Sequence, residues 1–171
     1  GIQLTSHQDA ELVAYLWHVY GRDMLSRLEG QFAIALHDTR QQTVLLARDR
    51  VGKSPMHWAK RGDCVYFGSE IKAILASGKV TPEADPRGLD HIFTFVGMGT
   101  RRTAFRDIWS LPPAGWMEID VGDEQQAGEI RQGTYWDLDF PDRGEERRNP
   151  LDAQKAEFES LFKSAVRRSL N

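Results

Sequence analysis

The sequence predicts an α+β fold in which antiparallel strands lie between helices. Four short β-rich runs follow one another between residues 32 and 68, and the turns between them are short and polar. Parallel neighbours would need long crossover connections, so these runs are expected to form an antiparallel meander. Before and after them, apolar residues recur at three- and four-residue steps, as they do in amphipathic helices.

Helical spacing of apolar residues predicts the first helix from Asp9 to Tyr20, and Gly21 follows as a terminator. A short second helical turn through Met24 is expected to stop at Gly30.

The four β-rich runs cover residues 32–36, 43–47, 56–59 and 64–68. In the first run, bulky apolar residues alternate with Ala33 and Ala35. Small residues on one face let another layer approach closely, which predicts that this strand is covered on both faces.

Two helices are predicted after these runs. The first covers residues 70–76, and the second begins at Asp85-Pro86, with the aspartate as cap and the proline at the first helical position. The apolar side of the second helix carries Leu89, Ile92, Phe93 and Phe95.

The chain then returns to β structure. Residues 97–102 are predicted to be irregular, and Leu111-Pro112-Pro113 precedes a strand in which apolar residues alternate with acidic ones up to Val121. A last strand is expected near Ile130.

The composition is that of an ordinary globular domain, with 171 residues, 40% apolar and 27% charged. The formal net charge of −3 and the lack of a polybasic block argue against nucleic acid and a membrane surface as partners. Apolar runs are interrupted before the roughly 18 residues that a membrane-spanning helix needs. One cysteine cannot form an internal disulfide, which fits a reducing, cytoplasmic location.

The composition changes after residue 140. Six of the seven residues from 142 to 148 are charged, which is typical of a solvated linker. Asn149-Pro150 then begins a predicted helix whose apolar stripe comprises Phe158, Leu161, Phe162, Ala165, Val166 and Leu170. We therefore expect a partial domain over 1–140, a charged linker over 141–149 and the first helix of a second domain over 150–171.

Five blocks of the chain follow one another as residues 28–35 (LEGQFAIA), 47–55 (ARDRVGKSP, a hairpin signature), 69–73 (SEIKA), 111–113 (LPP) and 135–137 (YWD). In their order and spacing they resemble the glutamine-hydrolysing asparagine synthetases. Ordered blocks that cover essentially the whole chain are a stronger signal than any one short motif.

This resemblance implies a class II glutamine amidotransferase domain. Its fold would be an N-terminal-nucleophile hydrolase-like αββα sandwich of antiparallel sheets, present in part, followed by the first helix of an α/β ATP-pyrophosphatase-type synthetase domain. In that family an N-terminal cysteine attacks the glutamine amide and its own α-amine acts as base. This chain begins with Gly1 and has its one cysteine at Cys64. No catalytic residue is therefore predicted, and the chain is expected to be an inactive piece of a longer protein.

The resemblance also implies what the parent protein does. It would be a cytoplasmic ligase that converts aspartate to asparagine with ATP, Mg²⁺ and ammonia from glutamine, with a homodimer as an open prediction. ATP and Mg²⁺ would bind in the synthetase domain, and no cofactor is expected on this chain. The alternatives are a related amidotransferase with another acceptor, as in exopolysaccharide assembly or β-lactam formation, and a noncatalytic binding module that retains the fold.

One element of a glutamine site is predicted. Residues 5–11 (TSHQDAE) resemble the family's serine-aspartate-x-glutamate segment, in which the aspartate binds the α-amino group of glutamine. On that match Asp9 is the predicted substrate-binding residue, because a carboxylate facing an ammonium forms a charge-assisted hydrogen bond. The alternative for Asp9 is a helix N-cap. Glu11 is interpreted as a first-turn acid favoured by the helix dipole.

Three other features are interpreted structurally. Strand alternation places Arg48 and Arg50 on one face and Asp49 on the other, which favours a role in fixing the hairpin over a role in catalysis. Cys64 lies in a strand-like run, which is typical of buried, inert cysteines. The histidines are scattered without metal-ligand spacing, so no metal site is predicted.

Overall fold

A computed structural model describes residues 8–95, 101–122, 128–145 and 149–169. The chain forms two compact units, Gly1–Asp137 and Leu138–Asn171. Predictions for residues 5–7, most of 97–102, part of the 141–149 linker and Leu170 lie outside the described residues. The proposed domain boundaries stay predictions.

The described elements follow the predicted order closely. The helices are α1 Asp9–Tyr20, α2 Met24–Arg27, α3 Ile71–Leu75, α4 Pro86–Phe95 and α5 Leu151–Ser169, with a 3₁₀ turn at Gly21–Asp23. The strands are β1 Ala33–Asp38, β2 Thr43–Arg48, β3 His57–Arg61, β4 Cys64–Gly68, β5 Trp109–Ser110, β6 Gly115–Asp120 and β7 Ile130–Thr134.

The strands form two antiparallel sheets, and the prediction of one continuous meander is wrong. The first sheet has the order β1-β2-β6-β7 and the second has the order β4-β3-β5. The hairpins β1-β2 and β3-β4 therefore belong to different sheets. Residues 47–55 are interpreted from the sequence as a hairpin signature, but β2 ends at Arg48, and residues 49–56 are the crossover that carries the chain from one sheet to the other.

The buried carboxylate of Asp49 organises this crossover. Its side chain is fully buried and accepts hydrogen bonds from the backbone N–H groups of Lys53 (3.0 Å) and Ser54 (2.9 Å). Burial raises the pKa of Asp49, but the hydrogen bonds from Ser54, Lys53, Phe32 and Val51 outweigh it, so the pKa lies below its usual value. These hydrogen bonds fold the residues after Asp49 into a turn around its carboxylate, so the chain does not continue as a hairpin.

The guanidinium of Arg48 fills the concave side of the crossover. It donates to the carbonyl oxygens of Ser54 (2.8 Å), Leu111 (2.7 Å) and Gly52. Gly52 has a φ of +69°, and a Cβ atom there would lie 3.1 Å from the Arg48 Cζ. These contacts give Arg48 the structural role predicted for it, and they favour glycine at position 52.

Three apolar clusters lie between layers of the first unit. One packs α1 and α2 against the first sheet, one lies between the sheets, and one packs α3 against the second sheet. Leu45 and Leu46, both buried, are neighbours on β2 and point into the first and second clusters respectively. The described layers therefore run helix, sheet, sheet, helix.

The prediction that β1 is covered on both faces holds only at its first residue. Ala33 packs against the cluster between the sheets, whereas Ala35 is exposed. β1 has a paired neighbour, β2, on one side among the described strands. The face of β1 that carries Ala33 and Ala35 is therefore covered at Ala33 and uncovered at Ala35.

Asp85 caps α4 as predicted, because its Oδ1 accepts the N–H of Arg87 at 3.0 Å. The helix buries the side that carries Gly88. Phe93 and Phe95, expected on the apolar side, are 83% and 67% exposed, so that part of the prediction is wrong. The sequence pattern shows which residues are apolar but not how far a neighbouring layer reaches.

Cys64 is exposed at the start of β4, which corrects its interpretation as a buried residue. In the second unit, α5 carries the predicted apolar stripe, and its members Phe158, Leu161 and Phe162 are exposed. Within the described ranges, no helix is long and apolar enough to cross a membrane.

Replacing Asp49 with asparagine should lower the free energy of unfolding by about 1–3 kcal/mol, because a buried charge-assisted cap becomes a weaker one. The lowered pKa makes this contribution present above about pH 4 and lost as the pH falls through the folded pKa. The difference in free energy of unfolding between wild type and D49N should therefore become smaller as the pH is lowered. Urea unfolding followed by circular dichroism measures this difference.

Asp63→Asn, at an exposed turn, is the matched control and should change the free energy of unfolding little. Equal effects of the two variants would contradict the role of Asp49 in the crossover.

Candidate functional site

A cleft of about 690 Å³ lies between α1, residues 28–36 and the crossover. Asp9 lines it from the start of α1, and Ser54 lines it from the crossover. The structure thus places the predicted substrate-binding residue at a cavity.

Asp9 is the first residue of α1, and Gln8 is the N-cap. The alternative role of Asp9 as helix cap is therefore wrong. Its exposed carboxylate stands at the positive end of the helix dipole, where an acidic residue is favoured. Glu11 shares this first turn, as predicted, and does not line the cleft among the described residues.

The cleft lining combines acidic groups with an apolar surface. Its charged side chains among the described residues are Asp9 and Glu29. Apolar lining comes from both sides, including Val13 of α1, Leu28 and Phe32. Such a lining favours a ligand with a cationic group and an aliphatic stem, since carboxylates attract the cation and apolar surface buries the stem.

One side of the cleft, residues 28–32, is held by the crossover and by Tyr135, which follows β7; we call it the cleft wall. The Phe32 carbonyl accepts the Asp49 N–H at 3.0 Å. The Phe32 ring stacks on Tyr135, with centroids 6.5 Å apart. Gly30, with a φ of +115°, gives the wall its turn.

Tyr135 connects the cleft wall to the crossover. Its hydroxyl donates to the Arg48 carbonyl oxygen at 2.9 Å. Burial, followed by the negative charge of Asp49, raises the pKa of Tyr135 to about 12. The phenol thus stays neutral and able to donate at a pH at which an ordinary tyrosine ionises.

The site residues missed by sequence reasoning are Glu29, Ser54, Phe32 and Tyr135. Each lies in a block that was recognised by its resemblance, but the sequence gives no sign that the blocks meet. Their shared location was the missing information.

A second, smaller cleft of about 420 Å³ lies between residues 14–18 of α1 and residues 36–41. It is lined by Trp17, His18, His37 and Asp38, among others. The Trp17 Nε1–H donates to Asp38 at 2.7 Å, and this bond, with backbone amides, lowers the pKa of Asp38. No cluster of three or more potential ligands suited to a metal occurs among the described residues.

The comparison with known families decides the classification. A family model described as a glutamine amidotransferase domain matches residues 1–136. The chain belongs to this family. The match covers the cleft, the crossover and both sheets.

Individual relatives include enzymes with different names. Asparagine synthetase [glutamine-hydrolyzing] 3 of Bacillus subtilis is 31% identical over 99% of this chain and 26% of its own length. Amidase chyE of Penicillium rubens is 30% identical over 82% of this chain and 20% of its own. Asparagine synthetase [glutamine-hydrolyzing] 2 of Arabidopsis thaliana is 33% identical over 65% of this chain and 19% of its own. The chain thus spans about a quarter or less of the curated relatives that it matches.

Replacing Tyr135 with phenylalanine should lower the free energy of unfolding by about 1 kcal/mol at neutral pH, through loss of its hydrogen bond. Because the folded pKa is raised, this contribution is fully present below about pH 10 and is lost as the pH rises toward 12. Absorbance at 295 nm should show one tyrosine titrating above the others in wild type and not in Y135F. Identical titration of both proteins would contradict the burial of this hydroxyl.

Proposed function

We propose that the cleft binds L-glutamine as the glutaminase site of an amidotransferase. The observation that carries this proposal is the position of Asp9 at the cleft of a chain that belongs to the glutamine amidotransferase family. Asp9 accepts a charge-assisted hydrogen bond from the α-ammonium group, and the apolar lining covers the methylene stem.

The proposal leaves amide hydrolysis to a nucleophile other than Cys64. Cys64 begins β4 in the second sheet and is not among the described residues that line the cleft. The nucleophile would be the N-terminal cysteine that the resemblance implies for the parent. The described residues then bind and orient glutamine and do not attack it.

For the whole protein we propose a glutamine-dependent asparagine synthetase that transfers ammonia to aspartate in the cytoplasm. In this proposal the first unit has the N-terminal-nucleophile hydrolase fold, and α5 is the first helix of the synthetase domain. The relatives from Bacillus subtilis and Arabidopsis thaliana support it by name. ATP and Mg²⁺ would bind in the parent's synthetase domain, as the resemblance implies.

A second candidate is an amidotransferase that serves another acceptor. Amidase chyE, a relative that does not carry the asparagine synthetase name, supports this second candidate. Both candidates use the same glutamine cleft and differ in the acceptor.

Replacing Asp9 with asparagine should weaken L-glutamine binding about tenfold to a hundredfold, because an ammonium–carboxylate bond is lost. Isothermal titration calorimetry of the chain measures this. Glutaramate, which is glutamine without its α-amino group, should bind D9N and wild type equally.

Glu11→Gln is the matched control, since it removes a carboxylate from the same helical turn outside the cleft. It should leave the preference for glutamine over glutaramate unchanged. The proposal is refuted if wild type does not distinguish the two ligands, or if E11Q and D9N lose the preference equally.

A further inference from the structure

The cleft wall depends on tertiary contacts for its position. Residues 28–32 belong to neither α2 nor β1, yet Leu28, Glu29, Gln31 and Phe32 line the cleft. A segment outside regular structure is held by whatever its side chains and carbonyl groups contact. One such contact, made by Phe32, leads to Tyr135. A contact of α2, from which the wall continues, leads to the next residue, Trp136.

The first contact lies behind the C-terminal end of the wall. The Tyr135 ring stacks on Phe32 with an interplanar angle of 21°. Tyr135 is itself fixed at both ends, because its N–H donates to Ala114 at 3.0 Å and its hydroxyl donates to Arg48. The ring is therefore a fixed support for the Phe32 side of the cleft.

The second contact lies in α2, just before the wall begins. The Arg50 Nη2 donates to the Ser26 carbonyl oxygen at 2.9 Å, and the guanidinium lies 5.8 Å from the centre of the Trp136 ring. The Arg50 Nε is buried without a hydrogen-bond partner in the described part of the chain. Burial of an N–H group without a partner is unfavourable, so the contacts with Ser26 and Trp136 are what favour this position of the guanidinium.

We propose that Tyr135, Trp136 and Arg50 are positioning residues for glutamine binding. None of them is among the described residues that line the cleft. Tyr135 acts through Phe32 of the wall. Arg50, with its guanidinium near the Trp136 ring, acts through Ser26 of α2, from which the wall continues. The inference rests on the proposed function of the cleft. It implies that a change in the path of residues 135–137, the last of the first unit, changes glutamine affinity.

Fluorine NMR of the chain labelled with 5-fluorotryptophan tests this coupling directly. Each resonance is assigned by a tryptophan-to-phenylalanine substitution. Saturation with L-glutamine should shift the Trp136 resonance, although Trp136 is outside the cleft, and should leave Trp109 of β5 in place. Calorimetric binding without a Trp136 shift would refute the inference and leave the proposed function intact. If calorimetry detects no binding of glutamine, the proposed function fails and the inference fails with it.

Arg50→Gln provides an independent measurement, with the exposed Arg106→Gln as matched control. R50Q should raise the Kd for glutamine about threefold to tenfold, as expected for a residue that acts through another. The binding of glutaramate should weaken by the same factor, because Asp9, which distinguishes the two ligands, is intact. Trp136→Phe, which keeps an aromatic face, should bind more tightly than Trp136→Ala. Wild-type affinity in a folded R50Q would overturn the proposal, and the fluorine spectrum decides it if R50Q does not fold.

Discussion

The negative charge of Asp49 is buried at the point where the chain passes from one sheet to the other. A buried carboxylate is costly unless hydrogen bonds satisfy it, and here backbone amides of its own loop and of Phe32 do so. The same residue uses its main chain to bind Phe32 and Ala114, which belong to other parts of the fold. One residue therefore fixes the crossover, the approach to β6 and one end of the cleft wall.

The shape of the proposed glutamine cleft depends on these contacts of Asp49. α1 supplies Asp9 and the apolar side opposite the wall, whereas the wall is irregular and depends on its support. The Asp49 N–H donates to the Phe32 carbonyl oxygen, and the Tyr135 ring stacks on the Phe32 ring. The Tyr135 hydroxyl donates to the carbonyl oxygen of Arg48, the residue just before the crossover. The scaffold and the ligand site are thus connected by a few identifiable contacts. Since domains are stable by only about 5–15 kcal/mol, each contact is significant.

The local elements could be predicted from the sequence because they depend on local spacing. The bounds of α1 were predicted correctly, as was the Asp85 cap of α4. The grouping of strands into sheets could not, because a polar loop between two β-rich runs looks alike whether it makes a hairpin or a crossover. Backbone hydrogen bonds to the side chain of Asp49 fix the crossover, and strand alternation does not predict them. Burial of Phe93 was mispredicted for a related reason, since apolarity does not reveal where a layer ends.

Among the site residues, Asp9 could be proposed from a resemblance, and the structure places it at a cleft. The supporting residues could not be recognised, because Tyr135 is more than a hundred positions from the wall residue that it supports. Pairwise supports of this kind arise from tertiary packing and have no local signature in a single sequence.

The most direct test of this account is native-state hydrogen exchange, measured by NMR, at the amides that donate to Asp49. Lys53 and Ser54 lie in a loop, where amides ordinarily exchange through local opening. If the buried charge anchors the crossover, these two amides should exchange only through global unfolding, as slowly as those in the middle of β2. Exchange as fast as in the exposed turn at residues 39–42 would contradict the account.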